Sequence, residues 1–155
     1  MPTTHAFRFR PVSVDGEWHF RPLVRVRLSG PAGHVTVPML IDTGADVSMV
    51  RLTVAEQLGL DLGEVGRAGG ISESIPVYRA HAGAEILSGG EAIVTLDLPL
   101  LVPVERGRPP LDLLGRQGLF NECDIAFHLG PDPFLGTFSL TQVRDSASDR
   151  VPPRR

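Results

Sequence analysis

Apolar and polar positions alternate at short range along most of the chain, in runs broken by glycine and proline. In Arg21–Ser29 (RPLVRVRLS), Leu23, Val24, Val26 and Leu28 mark a strand with rough alternation. Gly30-Pro31-Ala32-Gly33 marks a turn, and His34–Ile41 (HVTVPMLI) is a second strand, so the two predict a hairpin. Phe7–Val14 predicts an earlier strand interrupted by Pro11. Thr53-Val-Ala-Glu56 has the form of a capping box that opens a short helix, and Gly59 stands where a helix ends. Glu64–Tyr78, with Gly69-Gly70 inside it, predicts a hairpin with a flexible tip. Glu91–Leu98 is a clean strand that Leu100–Val104 continues past Pro99. Leu111–Gly115 is short and apolar, and Arg116–Asn121 suits one or two helical turns. Ile125–Leu129 and Leu135–Val143 predict a last strand pair around Gly130-Pro131-Asp132-Pro133. Strands outnumber helices, which predicts a closed or strongly twisted β-architecture.

Length and composition narrow the class. The chain has 155 residues, enough for one domain with a sizeable core. No repeat or shift of composition divides it, so residues 1–143 are expected to form a single domain. From Arg144 onward the apolar pattern is lost, which predicts a disordered tail over 144–155. The 17 glycines and 14 prolines fit many turns and short strands. All basic residues are arginine, and the net charge of -3 argues against nucleic acid or an anionic membrane as partner. A lone cysteine, Cys123, excludes an internal disulfide and a cysteine-based zinc site, and reads as a packed apolar residue. The N-terminus lacks the apolar stretch of a signal peptide, and no run approaches the roughly 20 residues of a membrane span. A cytoplasmic protein is the expectation.

Two segments concentrate chemistry: Leu40-Ile41-Asp42-Thr43-Gly44-Ala45-Asp46, and Asp112-Leu113-Leu114-Gly115-Arg116 much later in the chain. Asp-x-Gly alone occurs in many plain turns. Asp42 and Asp46 lack the alternating oxygen ligands and late glutamate of a calcium loop, and the five histidines have no ligand spacing, so no metal is expected.

Taken together, the two segments resemble the retropepsin-like aspartic proteases, as does Arg21-Pro-Leu-Val24 shortly after Trp18. The resemblance spans roughly Trp18 to Leu140. It implies an all-β acid-protease fold: a closed barrel with one or two short helices and a flap hairpin. It assigns Asp42, Thr43 and Gly44 to the catalytic loop, with Thr43 bonded across to a partner loop. Ala45, Asp46, Gly69, Gly70 and Ile71 would contact substrate, the last three on a flap around Arg67–Ser74. Leu113, Leu114 and Gly115 would pack beside the catalytic loop. Arg116 would pair with Asp46 of its own subunit, and Arg21 with that of the other.

Catalysis of this type needs two carboxylates about 3 Å apart that share one proton. The chain has one Asp-Thr-Gly, so the resemblance implies a homodimer with one Asp42 from each subunit. The implied activity is endopeptidase cleavage of a peptide or protein substrate, without cofactor. The alternative is a dimeric peptide-binding module that keeps the cleft and does not cleave.

Overall fold

The computed structural model describes residues 2–69, 73–132 and 135–143. Among the described residues, twelve strands and two short helices follow one another in chain order. The hairpin expected over residues 21–41 is β4 (Leu23–Gly30) and β5 (Gly33–Ile41), paired antiparallel from Leu23↔Leu40 to Gly30↔Gly33. Two long strands follow later: β8 (Ser74–Ser88) and β9 (Glu91–Pro103). Strand β9 runs straight through Pro99, because its parallel neighbour β6 (Ser48–Met49) pairs only from Leu100 onward.

The main sheet has the order β4-β5-β10-β6-β9-β8-β7, with β10 spanning Asp112–Leu114 and β7 Val65–Gly69; its first six strands form a ring. A further pairing of β4 with β8 closes these six strands into a barrel. Closure leaves no free edge in the ring. Val26, Leu28, Met39, Ile86, Leu98, Leu100, Val102 and Leu114 fill it and are almost wholly buried. The all-β fold expected from the resemblance is therefore present, with two short helices.

Helix α1 (Leu52–Leu58) begins before the predicted capping box. Its N-cap is Arg51 and not Thr53, and no side chain caps it. Arg51 is committed elsewhere, as described below. Gly59 ends the helix in the left-handed conformation at φ 62°, as expected of a residue without a Cβ. Helix α2 (Arg116–Glu122) is irregular, with non-helical backbone at Gln117 and Gly118.

The predicted strand over Phe7–Val14 is two strands. β1 (Thr4–Arg8) joins β12 (Thr137–Gln142), which also pairs with β11 (Cys123–His128) in a separate three-stranded sheet. Phe138 is fully buried there, and the ring of Phe7 stacks on it at 5.0 Å. The break falls at Phe9, whose N–H donates to the Gly136 carbonyl. After it, β2 (Arg10–Val14) pairs with β3 (Glu17–Arg21) around an Asp15-Gly16 turn with positive φ at both residues. This hairpin joins neither of the other sheets.

Cys123 is buried, as predicted for a packed residue, and burial pushes its thiol up to about 11. The expected tail over 144–155 lies outside the described residues. No helix among the described residues is long and apolar enough to cross a membrane.

Candidate active site

Asp42 follows directly on β5, where the strand leaves the barrel. Its position is set from below by β10, which lies parallel to β5 with Leu113↔Leu40 and Leu114↔Ile41 in register. The Asp42 N–H donates to the Leu114 carbonyl at 3.0 Å, extending that ladder by one bond. The chain then turns tightly. Gly44 N–H donates to Asp42 Oδ1 at 3.0 Å, and Ala45 N–H to the Asp42 carbonyl at 3.2 Å. One carboxylate oxygen is thereby held by the loop itself. Thr43 and Gly44 are exposed.

The far side of the loop is tied to the start of α2. Arg116 N–H donates to the Ala45 carbonyl and Gln117 N–H to that of Asp46, both at 2.9 Å. The Arg116 guanidinium forms an ion pair with the Asp46 carboxylate. Gly115 fits against the loop so closely that a Cβ there would lie 2.6 Å from the carbonyl carbon of Val47. Its N–H donates to Ser48 Oγ at 2.9 Å, and Ser48 is fully buried. Here glycine is needed for close approach and not for an unusual φ.

Beneath this contact is a pair to which the sequence reading assigned no role. Asp112 is 0% exposed and takes three hydrogen bonds from Arg51: from its backbone N–H, its Nε and its terminal guanidinium nitrogen, at 2.9, 3.2 and 2.9 Å. The hydrogen bonds to Asp112 raise the Arg51 pKa against the opposing effect of burial. The pair ties the N-cap of α1 to the first residue of β10. The one signal for it in the sequence is a carboxylate set directly before two leucines of a buried strand.

Above the loop stands the hairpin of β7 (Val65–Gly69) with the first part of β8. Its outermost described pair is Gly69↔Ser74. Gly70 and Ile71, both expected substrate contacts, lie outside the described residues. A cleft of about 440 Å³ separates hairpin and loop. Asp42, Gly44, Ala45 and Asp46 form its floor, and Ala68, Gly69, Glu73 and Ile75 face them. Met49 and Leu101 add apolar surface and Arg79 a positive charge; none of the three was singled out from sequence.

Among the sequence-predicted residues, Asp42, Gly44, Ala45, Asp46 and Gly69 thus meet around one cleft, with Leu113, Leu114, Gly115 and Arg116 behind it. Arg21 stands apart, exposed at the end of β3, with no ion-pair partner among the described residues. No group of three or more histidine, cysteine or acidic side chains among the described residues is arranged to hold a metal.

A search of curated proteins finds no match to this chain. The model of a protein family described as aspartyl protease does match, over residues 24–115. The matched stretch runs from the first barrel strand through the Asp42 loop to Gly115, the residue packed against that loop. It covers more than half of the chain, and the chain belongs to the aspartyl protease family.

Proposed function

We propose that this protein is a homodimeric aspartic endopeptidase. The observation that carries the reading is the Asp42 carboxylate, fixed by its own loop at the floor of an open cleft that an extended peptide can enter. One chain supplies one such carboxylate, so a second copy must bring the other. Two Asp42 side chains about 3 Å apart cannot both ionise and would share one proton. The ionised member takes a proton from a water held between them, and that water attacks the scissile carbonyl. The protonated member donates to the carbonyl oxygen as it gains charge.

The remaining roles follow from that arrangement. Thr43, exposed beside Asp42, bonds across to the opposite loop. Asp46 and Ala45 hold substrate backbone. The β7–β8 hairpin is the flap, and Gly69, Gly70 and Ile71 close on the peptide and exclude water. Arg21 pairs with Asp46 of the partner subunit, which already holds its own Arg116. A planar guanidinium suits such bidentate pairing better than an ammonium.

The test is digestion of a diverse peptide mixture by wild type and Asp42→Asn, read by mass spectrometry at several pH values. Asparagine keeps an oxygen for the Gly44 N–H, so the loop should persist. Removal of the acid–base pair is expected to cost about 10²–10⁴-fold in rate, the usual worth of such catalysis. Peptides recovered bound and uncut from a dimeric wild-type sample would replace the peptidase by a binding module, a reading that Glu73 at the cleft mouth favours. Equal cutting by both proteins would end the Asp42 mechanism.

A further inference from the structure

The charges around the cleft are unequally satisfied. Asp46 is held by Arg116, and Asp42 accepts from the Gly44 N–H. Arg79 also lines the cleft, yet it has no ion-pair partner among the described residues, whereas Arg27, Arg51, Arg106 and Arg116 each hold a carboxylate. Two acidic residues lie on the surfaces that Arg79 shares. Glu73 stands six positions earlier, just before β8, about 20 Å away along an extended strand and too far to pair with it. Asp61 lines an adjoining groove with Arg79 and forms no ion pair with it.

The register sets Arg79 into a defined wall of the cleft. Arg79 pairs with Leu101 across β8 and β9, and Leu101 pairs with Met49 across β9 and β6. Residues opposite each other in a ladder project to the same face of the sheet, and all three line the cleft. Leu101 and Met49 are half-buried, and Arg79 is exposed. The wall thus grades from apolar surface to a cation. A lysine or arginine side chain on it would be repelled, and an apolar one would leave the guanidinium without a counter-charge. A glutamate side chain matches both parts. Its two methylenes fit along Leu101 and Met49, and its carboxylate can take two parallel bonds from the planar guanidinium. Closure of the flap thins the water around that pair and strengthens it.

We infer that Arg79 selects the substrate: it takes a glutamate side chain of the bound peptide at a fixed distance from the scissile bond. The inference rests on the peptidase proposed above and names the substrate class of that same cleft. A homodimer has two such walls related by its two-fold axis, so the preference falls at the equivalent position on either side of the cut. Glu73, near the outer end of the same hairpin, repels acidic side chains there and confines the preference to the Arg79 end.

The test uses sets of synthetic peptides that differ at a single position, which carries Glu, Gln or Lys. Glutamine keeps the size of glutamate and removes its charge. The peptides compete for the full chain, and the cuts are counted by mass spectrometry. Wild type prefers Glu over Gln about fivefold at one position on each side of the cut, the factor that a strong exposed ion pair contributes. Arg79→Gln abolishes the preference, Arg79→Lys retains part of it, and Arg79→Glu turns it toward the Lys peptides. A merely structural role for Arg79 would slow all peptides alike and leave their order unchanged. Equal cutting of Glu and Gln peptides by wild type, or a Glu preference that survives Arg79→Glu, overturns the inference and leaves the peptidase standing. A wild type that cuts none of the peptides overturns the peptidase and this inference with it.

Discussion

The floor and the roof of the cleft are built in opposite ways. The floor is a loop with little freedom of its own, clamped to the barrel from beneath. Asp42 hangs on Leu114, Ser48 on Gly115, and Asp46 on Arg116, while the buried Asp112 ties β10 to the cap of α1. The roof is a hairpin whose outer residues are exposed and which is held by its own ladder and by Arg67. In the mechanism proposed above, a water poised between two carboxylates would tolerate little positional error, since small misplacements of reacting groups cost large factors in rate. A roof must let substrate in and out, and elements that open are drawn from the least stable parts of a fold. Stability is thus concentrated in the floor, and substitutions can test this in order of size.

The largest effect on folding is expected from Asp112→Ala. Removing one partner of a buried ion pair costs about 3–5 kcal/mol. Arg51 is 37% exposed and can turn part of its charge to water, so the lower end, about 3 kcal/mol, is the expectation here. The orphaned backbone N–H of Arg51 contributes to that cost. Urea unfolding measures it as a lower midpoint at unchanged slope. A loss below about 1 kcal/mol, the usual worth of an exposed pair, would show that the floor does not depend on this anchor.

Gly115→Ala comes next. Its Cβ would meet backbone at 2.6, 2.7 and 2.9 Å, on Val47 and Ser48, and backbone cannot swing aside as a side chain can. Overpacking of this kind costs about 1–3 kcal/mol. Because the displaced segment follows the Asp42 loop directly, peptide cleavage should fall by more than the unfolded fraction explains. A variant with full stability and full activity would break the claim that close approach at Gly115 sets the loop.

Part of the barrel was legible in the sequence because β4, β5 and β9 carry their own apolar patterns, whereas β6 and β10 are too short to show one and β8 runs on to Ser88, beyond the hairpin expected over Glu64–Tyr78. Leu23 to Leu28 and Glu91 to Leu98 announce a buried face without reference to any other part of the chain. The Asp42 loop was legible for a different reason: Asp42-Thr43-Gly44 and Leu113 to Arg116 are compact motifs whose residue types fit the proposed chemistry and the close packing. What stayed hidden depends on distance or on competition. Asp112 finds Arg51 across 61 positions, and no local pattern links a lone carboxylate to one arginine among many. That pairing also explains why the N-cap of α1 is Arg51 and not Thr53: a residue tied down by its N–H and side chain fixes where α1 begins. The split of Phe7–Val14 at Phe9 follows from a bond to Gly136, which the apolar pattern on either side does not show.

The smallest effect belongs to the roof. Arg67 donates through Nε to Ser74 Oγ at 2.9 Å and through its terminal nitrogen to the Ser74 carbonyl at 2.7 Å, bracing the last described pair of the hairpin. Both bonds are exposed and compete with water, so Arg67→Ala should cost about 0.5 kcal/mol, the low end for a hydrogen bond. Global unfolding should scarcely register it. Opening of the hairpin end should, because local opening responds to local bonds. An exchange rate about twofold faster for amides of Ala68 and Gly69, with barrel amides such as Val26 and Leu98 unchanged, is the expected signature in hydrogen exchange. If barrel amides accelerate equally, hairpin and barrel open as one unit. The roof would then be as fixed as the floor, and the contrast between them would be one of exposure alone.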